Sequence, residues 1–120
     1  MASKASMINR PDAFSVVETP AGKAKIESQN DHRSPSCTIF TIYVEDHTLG
    51  NLMRCQLMRD PDVVFAGYRN PHPLENVIEI RIQTNGTKSP HRALSECVTL
   101  LKAETDSLQK QFKDEMKMLA

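Results

Sequence analysis

The sequence predicts a small α/β domain of the α+β kind, in which one mainly antiparallel sheet packs against a short helix and a long C-terminal helix. Apolar residues alternate along Cys37–Val44 and Val77–Thr84, as they do in half-buried strands. The stretch from about Leu49 to Arg59 has helical spacing instead. The last segment, His91–Ala120, also has this spacing and contains no glycine or proline, which predicts one uninterrupted helix.

Composition and charge narrow the classes of protein that fit. The chain has 120 residues, of which 39% are hydrophobic and 25% charged, as expected for a single globular domain. Fifteen basic and fifteen acidic residues cancel, whereas a dedicated nucleic-acid-binding domain normally carries a basic surplus. No apolar run approaches the ~20 residues of a membrane span. We therefore expect no direct sequence-specific nucleic-acid contact and no membrane partner.

The chain divides into an N-terminal segment, residues 1–36, and a folded domain, residues 37–120. The polar stretch Met1–Ala13 is expected to be mobile. Lys23–Ile26 is predicted to form a short edge strand. The following residues, Glu27–Ser36, contain no large apolar side chain and are predicted to form a loop.

The octet Glu45–Leu52 is predicted to turn the first strand into the first helix. Thr48 is the preferred N-cap and Asp46 the alternative, since both side chains can accept a bond from an unpaired helical N–H. Gly50 is unexpected there, because glycine costs up to ~1 kcal/mol relative to alanine in a helix. It predicts the close approach of another helix or of backbone.

The next elements form a hairpin and a long helix. Val63–Tyr68 and Val77–Thr84 are predicted to pair antiparallel, with Gly67 marking a bulge or a close contact. Ser89 is predicted to cap the last helix and Pro90 to occupy its first turn. A helix of about 30 residues would be ~45 Å long and would extend past the small sheet. The apolar seam of this helix has faults at Thr105 and Glu115, and we expect a partner helix to cover it.

Few residues suggest chemistry. His47 beside Asp46 could be a general base with its orienting carboxylate, but no hydrolase-type nucleophile motif accompanies the pair. No two cysteines lie close enough for a C-x-x-C site, and all three are interpreted as small buried hydrophobic residues. The remaining histidines are scattered. We therefore predict no catalytic residue, no cofactor-binding residue and no metal ligand.

Two function classes remain open from the residues alone. The first is an interaction subunit that forms a heterodimer through its two helices, and the second is a small enzyme with a site near His47. The helix seam favours the first class. The predicted assembly interface comprises residues of both helices, namely His47, Thr48, Leu49, Gly50, Asn51, Leu52, Met53, Leu57, Leu94, Val98, Leu101, Leu108 and Phe112.

Four motifs between Val44 and Thr84 resemble a known family. They are E-D-H-T-L-G-N at Glu45–Asn51, V-x-F-A-G-Y at Val63–Tyr68, P-H-P-L at Pro71–Leu74 and I-R-I-Q-T at Ile80–Thr84. In this order they resemble the small alpha-like subunits of DNA-directed RNA polymerases. That family includes the archaeal L subunit, the RNA polymerase II version and the version shared by polymerases I and III.

The resemblance implies a fold like the dimerisation domain of the bacterial alpha subunit, with the sheet on one side and both helices on the other. It also implies a non-catalytic subunit that pairs with the larger alpha-like subunit. That pair would form a platform for the two large catalytic subunits, in the nucleus. The N-x-P-x-x-F pattern at Asn9–Phe14 favours the polymerase II version, and the version shared by polymerases I and III is the alternative.

Overall fold

The computed structural model describes Gly22 and residues 24–119, so the expectation for Met1–Ala13 lies outside the described residues. Two helices pack on one antiparallel sheet, which confirms the predicted α+β fold. The elements are β1 (Ile26–Asn30), β2 (Cys37–Tyr43), α1 (His47–Met58), β3 (Val63–Arg69), β4 (Val77–Thr84) and α2 (Pro90–Leu119).

The sheet has the strand order β1-β2-β4-β3, and each neighbouring pair is antiparallel. The predicted hairpin of β3 and β4 is confirmed, with Ala66 opposite Ile82. Every second residue of β4 is buried, and Ile78, Ile80 and Ile82 are each 0% exposed. These isoleucines pack with residues of both helices in one core, represented by Met53 of α1. Both helices therefore cover the same face of the sheet.

The edge strand β1 corrects two expectations. Its residues Ile26–Asn30 pair with β2, so the strand begins where Lys23–Ile26 was predicted to end and continues into the predicted loop Glu27–Ser36. All five side chains are exposed, which explains why the strand has no apolar alternation. Backbone hydrogen bonds to β2 keep this strand in the sheet, and Tyr43 Oη also donates to Glu27 Oε2 at 3.0 Å.

A left-handed residue forms the corner between β2 and α1. Val44 has φ of 60°, a conformation that costs energy for a β-branched residue, and it ends the strand one residue earlier than predicted. Its N–H donates to the carbonyl of Asn76 at 2.7 Å. Asp46, not Thr48, is the N-cap, since its carboxylate accepts from the Thr48 N–H at 2.9 Å. This hydrogen bond lowers the pKa of Asp46.

Gly50 makes its close contact within the chain. A Cβ added to Gly50 would lie 2.5 Å from Cδ2 of Tyr68, a residue of β3 that packs against the core. The prediction of a close approach is therefore right in kind, but the neighbour is an aromatic side chain and not another helix or backbone. The missing Cβ lets α1 lie flat against the ring of Tyr68.

The loop between β1 and β2 is fixed by one carboxylate. Asp31 is 8% exposed, and it accepts from the backbone N–H of Arg33 at 3.0 Å. Its two oxygens also accept from the guanidinium groups of Arg33 and Arg81, at 3.2 and 3.0 Å. The N–H of Arg33, followed by the two side chains, lowers the pKa of Asp31 to about 2. The carboxylate thus ties the loop to β4.

We predict that Gly50→Ala destabilises the chain. Overlap with the Tyr68 ring should cost ~1–3 kcal/mol, from which the better helix propensity of alanine subtracts ~1 kcal/mol. Urea unfolding monitored by circular dichroism measures the difference, with Asn51→Ala on the exposed side of α1 as the matched control. In a Tyr68→Leu background the same glycine change should no longer cost stability. Equal midpoints for Gly50→Ala and the unchanged chain would contradict the close contact.

A second prediction concerns acid. Because the pKa of Asp31 is lower when folded than its ordinary 3.8, this group stabilises the fold fully above pH ~4, and the contribution disappears as pH falls towards 2. The difference in free energy of unfolding between the unchanged chain and Asp31→Asn should shrink over that window. Asp106→Asn, on the exposed part of α2, is the control and should have little effect. A difference that stays constant from pH 5 to 2 would refute the assignment.

Candidate dimer interface

The helix α2 has a buried beginning and an exposed remainder. Ser89 Oγ accepts from the Arg92 N–H at 3.2 Å, which confirms the predicted cap. The buried residues of α2 lie in its first eight positions: Pro90, Ala93, Leu94 and Cys97. From Val98 to Leu119, each side chain except that of Leu101 is exposed. The expectation that this helix extends past its own sheet is therefore confirmed.

The apolar face that is buried in the first turns of α2 continues along the exposed part of the helix. We call this surface the α2 stripe. Its members follow Leu94 at steps of three, four or seven residues, so they lie on the same side of the helix. The exposed fractions include 67% for Leu108 and 65% for Phe112. The α2 stripe consists of Val98, Leu101, Leu108, Phe112, Met116 and Leu119.

The structure divides the thirteen predicted interface residues into two groups. Four of them are buried in the chain's own core and present no surface to a partner: Gly50, Met53, Leu57 and Leu94. Nine are exposed or partly exposed and remain candidates: His47, Thr48, Leu49, Asn51, Leu52, Val98, Leu101, Leu108 and Phe112. Helical spacing cannot separate these groups, because a core-facing side and a partner-facing side have the same period.

Sequence reasoning left out two members of this surface. Met116 is 52% exposed and lies four residues after Phe112, so its spacing could have placed it on the stripe. Leu119 lies three residues further along the same side of the helix, was not among the predicted interface residues, and is 81% exposed. Glu115 had suggested a fault at that point, and Met116 continues the apolar surface past it.

His47 takes part in a contact within the chain. Its Nδ1 and the Tyr68 hydroxyl share a hydrogen bond of 3.1 Å, and the two rings meet edge to face at 5.6 Å. The carboxylate of Asp46 is used by the helix cap, so it does not orient the imidazole. The pair therefore lacks the base-and-orienter geometry of an acid–base site.

The cysteines differ from one another. Cys37 and Cys97 are buried as predicted, whereas Cys55 is exposed on α1, so the prediction for Cys55 was wrong. Burial raises the pKa of Cys97 to about 11, which keeps it a neutral thiol. Its Sγ donates to the carbonyl of Met53 at 3.7 Å and thereby joins the two helices.

A largely buried lysine side chain connects the segment after α1 with the first turns of α2. Lys88 has 9% of its side chain exposed and forms ion pairs with Asp60, after α1, and with Glu96 on α2. Hydrogen bonds to Asp60 and Glu96 raise the pKa of Lys88. Arg92 pairs with the second oxygen of Glu96 at 3.0 Å. This network fixes the direction in which α2 leaves the domain.

The described residues meet neither the requirements of a metal-binding cluster nor those of a membrane-spanning helix. Among residues 24–119, no group of three His, Cys, Asp or Glu side chains could hold a metal ion. Neither described helix is long and apolar enough to cross a bilayer.

Comparisons with known proteins found a family profile and several similar sequences. The profile of the family described as the RNA polymerase Rpb3/Rpb11 dimerisation domain matches residues 37–111. The chain is 44% identical over 105 residues to the DNA-directed RNA polymerase II subunit rpb11 of Dictyostelium discoideum, covering 88% of each chain. It is 45% identical over 102 residues to the probable RNA polymerase II subunit RPB11 of Caenorhabditis elegans, covering 85% of this chain and 83% of that protein.

A solved structure shares the fold. The crystal structure of DNA-directed RNA polymerase subunit L from Thermoplasma acidophilum matches with a TM-score of 0.63 at 20% identity. The match covers 78% of this chain and 92% of the archaeal one. At that identity the likeness concerns the arrangement of the sheet and its two helices.

Proposed function

Because this chain belongs to the RNA polymerase Rpb3/Rpb11 dimerisation-domain family, we propose that it is the smaller alpha-like subunit of RNA polymerase II. In this role it pairs with the larger alpha-like subunit. The pair then forms the platform on which the two large catalytic subunits assemble. We assign this dimerisation to residues 37–120 and the site of action to the nucleus.

The α2 stripe is the observation that carries this proposal. Its residues continue the apolar face that is buried at Leu94, yet no residue in the described part of the chain buries them. A specific interface buries roughly 800 Å² per partner, and permanent interfaces are larger and more apolar. A helical partner that covers the α2 stripe and the exposed side of α1, around Leu52, would supply such an interface.

The polymerase II version is favoured over the version shared by polymerases I and III. The relatives from Dictyostelium and Caenorhabditis are named as subunits of polymerase II, and each alignment covers more than four fifths of both chains. The alternative of a small enzyme near His47 loses support, since that imidazole bonds to Tyr68 and the Asp46 carboxylate caps the helix. The proposed subunit is non-catalytic.

We predict that Leu108→Asp and Phe112→Asp each prevent formation of the heterodimer. Each change places a carboxylate in a surface that the partner would dehydrate, which is strongly unfavourable for an unpaired charge. Coexpression with the larger alpha-like subunit, followed by gel filtration, measures the yield of the 1:1 complex. The control is Lys110→Asp, because position 110 lies on the side of α2 opposite the α2 stripe. Undiminished complex yield for both stripe variants would refute the interface.

We also predict that His47→Ala leaves nucleotide addition per assembled polymerase unchanged. The imidazole contacts Tyr68 and no convergent catalytic group, so its loss should affect the amount of complex more than its turnover. Turnover is measured on purified complex at equal concentration, with Cys55→Ser, exposed on the same helix and outside the predicted interface, as the control. Normal complex yield with a hundredfold slower turnover would overturn the non-catalytic assignment.

A further inference from the structure

The sheet has a second face, opposite the helices, which we call the open face. In the described part of the chain no helix covers it. A groove of about 350 Å³ runs across β2, β4 and β3 on this face. It is lined by Ile39, Phe65 and Gly67 together with the charged residues Arg33, Arg69, Glu79 and Arg81. Tyr68, whose ring packs towards α1, borders the groove at the edge strand β3.

A β-bulge turns an aromatic ring towards this groove. Val63 pairs with Thr84 and Phe65 pairs with Gln83, so the register shifts between the two β3 residues. Because of this shift, Val63 is 8% exposed in the core, whereas Phe65 points to the open face and is 44% exposed. Without the extra residue, alternation would place both side chains on the same face. The ring lies next to Gly67, where an added Cβ would be 3.0 Å from Cζ of Phe65.

The charges of the groove do not balance. Arg33 and Arg81 share the single carboxylate of Asp31, and Arg69 pairs with Glu79 at 2.9 Å. Three guanidinium groups therefore face two carboxylates. Arg33 and Arg69 have 82% and 74% of their side chains exposed, so most of their N–H donors point to solvent.

We propose that the open face binds an extended, acidic segment of another subunit of the same complex, with an apolar side chain placed against Phe65. Exposed aromatic and arginine side chains are the types enriched at protein interfaces, and guanidinium groups bind carboxylates in bidentate geometry. The surplus positive charge favours carboxylates in the bound segment, and the Phe65 ring favours an apolar side chain next to it. Nucleic acid fits less well, because Glu79 lies within the groove and the whole chain has no basic surplus.

This surface is separate from the proposed dimer interface, because the two lie on opposite faces of the sheet. The inference rests on the proposed function in one respect, because that function identifies the complex that would supply the acidic segment. The two proposals can therefore fail separately. If the chain does not enter a polymerase, the proposed function fails; if it does and the groove remains empty, only the present inference fails.

The test places a photo-crosslinking amino acid, benzoylphenylalanine, at Phe65 in the assembled polymerase, and a second probe at Ile39 in a separate sample. Mass spectrometry then identifies the crosslinked segment. The probes are compared in three backgrounds at equal amounts of complex: the unchanged chain, Arg33→Gln with Arg69→Gln, and the control Lys110→Gln on α2. Arg81 is left in place so that Asp31 keeps a partner.

The expected result is a crosslink to a segment of another subunit that carries more acidic than basic residues. Its yield should fall roughly fivefold or more in the double arginine variant and stay unchanged in the lysine control, because two rim ion pairs are lost. Four results would overturn the inference: no crosslink at either position, a crosslink to residues 1–23 of this chain, a crosslink to nucleic acid, or a yield that does not respond to the arginine changes.

Discussion

The burial of β4 between its neighbours and beneath both helices is the interaction on which the rest of the structure depends. This strand pairs with β2 on one side and β3 on the other, and its three buried isoleucines contact the helical layer. Fully burying a side chain of this size contributes about 1.5–3 kcal/mol. The same residues position α1 and the first turns of α2. The positions of both helices on the sheet therefore depend on where this strand lies.

One consequence is that α2 is anchored at one end only. Leu94 and Cys97 lie in the core, and Lys88 fixes the start of the helix through Asp60 and Glu96. Beyond Val98 the helix has few tertiary contacts of its own, although it keeps an apolar side. Helical stability in proteins comes mostly from packing of such a side. A partner that covers the α2 stripe would thus stabilise the helix and be bound by it, and mass action links the two effects.

Sequence patterns predicted the elements that have a recognisable apolar alternation or helix cap in their own residues. The alternation at Ile78, Ile80 and Ile82 identified β4, and Ser89 with Pro90 identified the start of α2. The β1 strand was misplaced because all its side chains are exposed, so no apolar alternation marks the residues that pair with β2. Periodicity also could not tell which apolar helix positions face the core and which face outwards, since both repeat alike. Gly50 signalled a close contact, but only the fold identifies Tyr68 as the neighbour.

The two exposed surfaces differ in chemistry as well as in position. The α2 stripe is aliphatic and aromatic and would be dehydrated by a partner helix, so its contribution should depend little on salt. The groove on the open face relies on Arg33 and Arg69, whose exposed charges are screened at higher ionic strength. Because the sheet separates them, a partner bound on the helices leaves the groove accessible. Under the two proposals a chain of this size would join two neighbours at once, one held by apolar burial and the other selected by charge.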